Sequence, residues 1–123
     1  MAGLKAVFDT NILIDHLRGV PEAEQELRRF AEHAISVVSW AEVLVGTEAH
    51  LEARTLAFLN MFEIVDLNLA VAERAVEIRR KHRIKLPEAV IWATAQTQGA
   101  LLVTRNSKDF PEDDPGVRIP YRR

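Results

Sequence analysis

Four acids in this 123-residue chain stand among residues that otherwise read as core. Asp9 interrupts FDTNILID, between the apolar runs LKAVF and ILI, and a further acid, Asp15, follows. Glu42 is the only ionisable residue in AISVVSWAEVLVGT (34–47), and Glu88 is the only one in LPEAVIWATAQTQGALLVT (86–104). Asp109 sits in TRNSKDF (104–110), directly after the apolar run ALLV. Each has an ordinary explanation. Asp9 suits a helix N-cap. Glu42 lies three residues after Ser39, the spacing of a capping box. Glu88 falls in a first helical turn, where the helix dipole favours an acid. Yet on a helix starting at Pro87, Glu88 shares a face with Ile91, Trp92 and Ala95, so it is expected to point inward. An unpaired buried carboxylate costs several kcal/mol.

Taken together, the acids imply a shared site. Parallel strands deliver the residues that follow them to one sheet edge, the crevice where α/β proteins bind ligands. Asp9, Glu42 and TRNSKDF would reach that edge from three strands, and Glu88 would approach it from the helix leading into ALLV. Several like charges there repel and push pKa values up. A hard divalent cation resolves the conflict, and Mg²⁺ or Mn²⁺ suits carboxylate oxygens. The four histidines, His16, His33, His50 and His82, have no i, i+3 or i, i+4 pairing, so a helix-borne zinc site has no support.

The elements that must carry these acids are legible from periodicity. Short runs rich in Val, Ile and Leu read as strands: 4–8, 34–38, 63–65, 100–104 and 117–119. Their continuous apolar character suits strands buried on both faces of a parallel sheet. Helices are expected over 21–33, 50–62, 69–82 (with Asn68 as cap) and 87–99, the last opening on Pro87 and closing on Gly99. Strand–helix alternation predicts a three-layer α/β/α sandwich around a mainly parallel sheet, and the length implies one domain spanning 1–123. Trp40 and Trp92 lie inside apolar helical stretches and are expected in the core.

Composition narrows the classes. Hydrophobic residues make up 48% of the chain, enough for a core. There is no cysteine, which removes disulfides and thiolate chemistry and fits a reducing compartment. No signal-peptide pattern or long apolar run appears, so a cytoplasmic protein without membrane attachment is expected. The net charge is −2, whereas a purely electrostatic nucleic-acid binder is normally strongly basic. The average hides RRKHRIK (79–85), with five fixed positive charges and His82.

FDTNILID, SWAEVLVG, LPEAVIWATA and LLVTRNSKDF, in that order and spacing, resemble the PIN domains, and among them the VapC-type toxins of toxin–antitoxin pairs. The resemblance covers nearly the whole chain. It implies a Mg²⁺- or Mn²⁺-dependent endoribonuclease acting on tRNA, rRNA or mRNA and restrained by a VapB-like antitoxin. Carried over by position, Asp9, Glu42, Glu88 and Asp109 become the catalytic acids. Asp9, Glu88 and Asp109 would hold the metal, and Thr104, Asn106 and Asn11 would support them. Glu88 departs from the family, which typically has Asp there; the extra methylene moves the carboxylate by roughly 1 Å, a shift that catalytic geometry feels. Arg79, Arg80, Lys81, Arg83 and Lys85 lead straight into LPEA and are the expected phosphate contacts, although a solvated cationic helix end would read the same way. Arg105 would orient phosphate or pair with a site acid. A homodimer is a family habit, and the helices at 21–33 and 50–62 would form either its interface or the antitoxin groove. A phosphatase of the haloacid-dehalogenase type also starts with a strand ending in Asp, but its chemistry wants a second Asp where this chain has Asn11. A PIN-like fold that binds RNA or a partner without cutting is the other reading.

Overall fold

The computed structural model describes residues 4–123. Among the described residues, five strands form one sheet: β1 (Lys5–Phe8), β2 (Glu32–Ser36), β3 (Glu63–Val65), β4 (Leu101–Val103) and β5 (Val117–Arg118). All neighbours are parallel and the spatial order is β3-β2-β1-β4-β5. The chain therefore builds outward from β1 in one direction, then returns to the other side of β1 to add β4 and β5. The direction of winding reverses between β1 and β4, and in such sheets the crevice beyond the strand ends opens at that point. The register pairs Phe8 with Val103, which makes Asp9 and Thr104 the residues that leave the sheet there.

The helices flanking the sheet among the described residues are α1 (Thr10–Leu17), α2 (Pro21–Arg28), α3 (Val37–Val45), α4 (Glu52–Leu59), α5 (Leu69–His82) and α6 (Leu86–Thr97), with a 3₁₀ turn at Ala49–Leu51. Period-two alternation sends Ala6 and Phe8 to one core and Val7 to the other. Val7 joins Val71, Ile78, Ile91 and Trp92 of α5 and α6. Phe8 joins Ile12, Leu13, Val43 and Leu59 of α1, α3 and α4. This is the expected three-layer arrangement.

Local signals explain most boundaries. The side chain of Asn68 accepts from Val71 N at 2.9 Å and starts α5. At the end of α6, Gly99 adopts φ +61, with Gly99 N donating to Gln96 O and Ala100 N to Ala95 O. These two bonds make a Schellman stop, which favours a residue without a Cβ. Three expectations need correction. The strand expected at 34–38 ends at Ser36, whose hydroxyl accepts from Val38 N at 3.0 Å and opens α3. Ser39 is thus no cap; it is buried inside α3 and its hydroxyl has no hydrogen-bond partner. The helix expected over 21–33 stops at Arg28, because Phe30 turns into the core and β2 begins at Glu32.

Candidate functional site

Asp9 N donates to Val103 O at 2.9 Å, the last ladder bond before the chain enters α1. Asp9 is indeed the cap of α1, its Oδ1 accepting from Thr10 N at 2.7 Å. It is more than a cap. Oδ2 accepts from the Thr104 hydroxyl at 2.7 Å and from Asn11 Nδ2 at 3.2 Å. The residue is only 6% exposed. Burial, with the nearby charges of Glu42 and Glu88 adding to it, lifts its pKa to about 6 against the opposing hydrogen bonds from Thr104 and Thr10. Acids from two other segments therefore act on this one carboxyl group.

Glu42, from α3, accepts a 2.6 Å hydrogen bond from the Thr10 hydroxyl. Glu88 lies in the first turn of α6 and is half-buried, as its shared face with Ile91 and Trp92 suggested. Its Oε2 is buried without a hydrogen-bond partner, an arrangement folded chains rarely leave without a role. Asp109 stands one step further out. Asn106 Nδ2 donates to Asp109 Oδ2 at 3.0 Å, and Asp109 N donates back to Asn106 Oδ1 at 3.1 Å. Asn106 N in turn donates to Thr104 Oγ at 3.0 Å. Phe110, fully buried against Trp92, pins the far end of this loop.

The acids line one edge without forming a closed cage. Among the described residues, no three His, Asp or Glu side chains stand close enough together to hold a metal ion. Glu42 is drawn to Thr10 and Asp109 to Asn106, so these two acids are engaged by their own neighbours. The donor set still fits a hard cation: a buried carboxyl with a raised pKa lies close enough to feel the charge of Glu88, whose Oε2 is buried without a partner.

The expected phosphate contacts divide. Arg79, Arg80, Lys81, Arg83 and Lys85 are all exposed along the end of α5 and the turn into α6. Arg79 also donates to Ile84 O at 2.6 Å, and Arg83 takes a left-handed φ of +57. Arg105 meets neither a proposed site acid nor open solvent for phosphate. Its guanidinium grips Asp15 through Nε at 2.7 Å and Nη2 at 3.2 Å, so it pairs with an acid instead of facing out for phosphate. The His82 ring packs against Trp92. Trp92 lies in the core as expected, while Trp40 is only partly buried.

Asp15, Tyr121 and Glu26 were not singled out by sequence reasoning. Asp15 was noted only as a second acid, although its position one helical turn from Asn11 places both on one face of α1. Glu26, on α2, is 2% exposed and bound by Arg118 at 2.5 and 2.9 Å.

The chain belongs to the PIN domain family, whose pattern matches residues 6–112. Within it, the relatives are of the VapC ribonuclease type. Ribonuclease VapC10 of Mycobacterium tuberculosis is 35% identical over 128 residues, covering 95% of this chain and 96% of the relative. Among solved structures, a chain of a toxin–antitoxin complex from Klebsiella pneumoniae is 46% identical with a TM-score of 0.91, over 96% of this chain and 99% of that one. A chain of DNA-bound VapBC from Salmonella typhimurium is 28% identical with a TM-score of 0.74, over 94% and 96%.

Proposed function

We propose that this chain is a Mg²⁺- or Mn²⁺-dependent endoribonuclease toxin that hydrolyses RNA phosphodiester bonds at the edge between β1 and β4. The observation that carries this reading is Asp9: buried at the reversal of winding and raised to a pKa of about 6 with Glu42 and Glu88 acting on it. Asp9, Glu88 and Asp109 would hold the cation, with Glu42 in direct or water-bridged contact. When bound, the cation would supply a water of lowered pKa and stabilise charge on the phosphate. The chain's own residues do the positioning. Thr104 and Asn11 fix Asp9 Oδ2, Asn106 orients Asp109, and Thr10 steers Glu42. Arg79, Arg80, Lys81, Arg83 and Lys85 would meet the RNA backbone, giving affinity with little sequence choice.

The relatives' toxin–antitoxin complexes support a VapB-like antitoxin as partner. The two helical segments expected to form a contact surface do share one groove, of about 390 Å³, lined by Leu27, Phe30, Phe58, Met61 and Phe62. We assign this apolar groove to the antitoxin. Among the described residues no helix is long and apolar enough to cross a membrane, in keeping with action in the cytoplasm, where the RNA is; a homodimer would let two basic ends flank one RNA. A binding-only reading is favoured by one observation, the longer Glu88 where the family typically has Asp.

RNA cleavage with and without Mn²⁺, measured on the wild type, Glu88→Asp and Asp9→Asn, separates the readings. Metal-dependent cleavage that Asp9→Asn abolishes supports the nuclease. Equal cleavage by wild type and Asp9→Asn marks contamination and defeats it. Cleavage by Glu88→Asp alone assigns this chain to binding.

A further inference from the structure

A second buried carboxylate lies near the proposed active edge, and two distant segments converge on it. Asp15, on α1, is 3% exposed. It receives the Arg105 guanidinium through both oxygens, at 2.7 and 3.2 Å, and the Tyr121 hydroxyl at 2.8 Å on Oδ2. Arg105 opens the loop that carries Asn106 and Asp109, and Tyr121 comes from the segment after β5. The main-chain N–H of Arg105 is also held, donating to Asn11 Oδ1 at 3.3 Å. Asn11 and Asp15 are one turn apart on α1, so a single helix face holds Arg105 by its backbone and by its side chain. Asn11 Nδ2 then reaches Asp9 Oδ2 at 3.2 Å.

We infer that Tyr121 is a positioning residue: through Asp15 and Arg105 it latches the 104–110 loop against α1, setting Asn106 and Asp109 relative to Asp9. The inference rests on the nuclease reading for its catalytic consequence, but the latch itself is a statement about the loop. A bidentate Arg–carboxylate pair fixes direction as well as distance. Tyr121 adds a third donor to the same carboxylate and ties the loop to the segment beyond β5. Burial by itself would raise the Asp15 pKa; the hydrogen bonds from Arg105 and Tyr121 and the charge of Arg105 outweigh it and hold the carboxyl below its usual range. Asp15 thus stays ionised at neutral pH. The Tyr121 phenol, raised by burial and by Asp15, stays protonated and able to donate.

The test compares Tyr121→Phe with a control that loosens the same end of the chain elsewhere. Glu26→Gln weakens the tie between Arg118 and α2 without touching Asp15. Amide hydrogen exchange of full-length protein is read at Arg105, Asn106, Asp109 and Phe110, whose N–H groups all donate within the loop or to Asn11. In parallel, RNA cleavage is titrated with Mn²⁺. Losing one hydrogen bond to a charged group predicts about tenfold faster exchange at these amides and about a tenfold higher Mn²⁺ concentration for half-maximal cleavage in Tyr121→Phe. The KM for RNA is expected to stay within about twofold, because the basic run is untouched. In Glu26→Gln, stability falls while loop exchange and Mn²⁺ dependence stay as in wild type. Unchanged exchange in Tyr121→Phe, or an equal shift in Glu26→Gln, overturns the latch. The exchange measurement needs neither RNA nor metal, so if wild type and Asp9→Asn cut alike, the nuclease reading fails while exchange still decides the latch.

Discussion

Asp9→Asn offers a test that does not depend on catalysis. A carboxyl whose folded pKa lies above its unfolded one contributes stability that is whole below the unfolded value and is lost as pH rises through the folded value. For Asp9 those values are 3.8 and about 6. At about 1.4 kcal/mol per pH unit, ionised Asp9 costs the metal-free protein roughly 3 kcal/mol at neutral pH. Asn removes that cost, but it meets donors from Thr10, Thr104 and Asn11 with one acceptor oxygen fewer, and losing one such bond costs about 1–1.5 kcal/mol. The variant is therefore expected to be more stable than wild type by about 1–2 kcal/mol near neutral pH, and less stable by about 1 kcal/mol near pH 3, where Asp9 is mostly protonated in both states. For a chain of this size, each kcal/mol moves Tm by about 3–6 °C. Urea unfolding at both pH values in the presence of a chelator reads the difference. A stability gap of the same sign and size at both would refute the claim that Asp9 is held against its ionisation. Adding Mn²⁺ is expected to raise the Tm of wild type and leave Asp9→Asn nearly unmoved.

Other outcomes follow from particular contacts. Glu88→Asp is expected to leave Mn²⁺-dependent RNA cleavage unchanged or to raise it; a loss of about tenfold in kcat would mean the site is built around the longer side chain. Glu26→Gln removes the charge that Arg118 and Arg29 share, and is expected to destabilise by about 2–4 kcal/mol in urea unfolding, since a half-buried guanidinium loses its counter-charge. Arg83→Gly relieves a left-handed backbone at a helix end and is expected to add up to about 1 kcal/mol of stability. The same variant is expected to weaken RNA binding and to flatten its salt dependence by about one unit of log–log slope, measured by titration across salt concentrations.

Legibility differed by scale. Helix α5 was readable to its residue limits because Asn68 caps it and cations close it. The stop of α6 was readable from Gly99. The ends of β2 and α2 were not. Val37 and Val38 extend a β-branched run, and only the Ser36 side chain bonding to Val38 N converts that run into a helix start. That Glu42 and Glu88 lie near enough for their charges to raise the Asp9 pKa was legible from topology, because parallel strands and one crossover helix leave few places for their ends. What sequence could not supply was pairing between distant segments. Asp15 with Arg105 and Tyr121, and Glu26 with Arg118, join residues about 90 or more positions apart; a carboxylate buried by such a partner looks the same in sequence as one bathed in water.

The pairing of Phe8 with Val103 carries a constraint on length rather than on composition. Many apolar side chains would fill β1 and β4, but deleting one residue from 101–103 would turn every following side chain to the opposite layer and separate Thr104 from Asp9. Over time these two strands are free to change their letters and forbidden to change their count, whereas the surface turns between α3 and α4 can grow or shrink without reaching the acids.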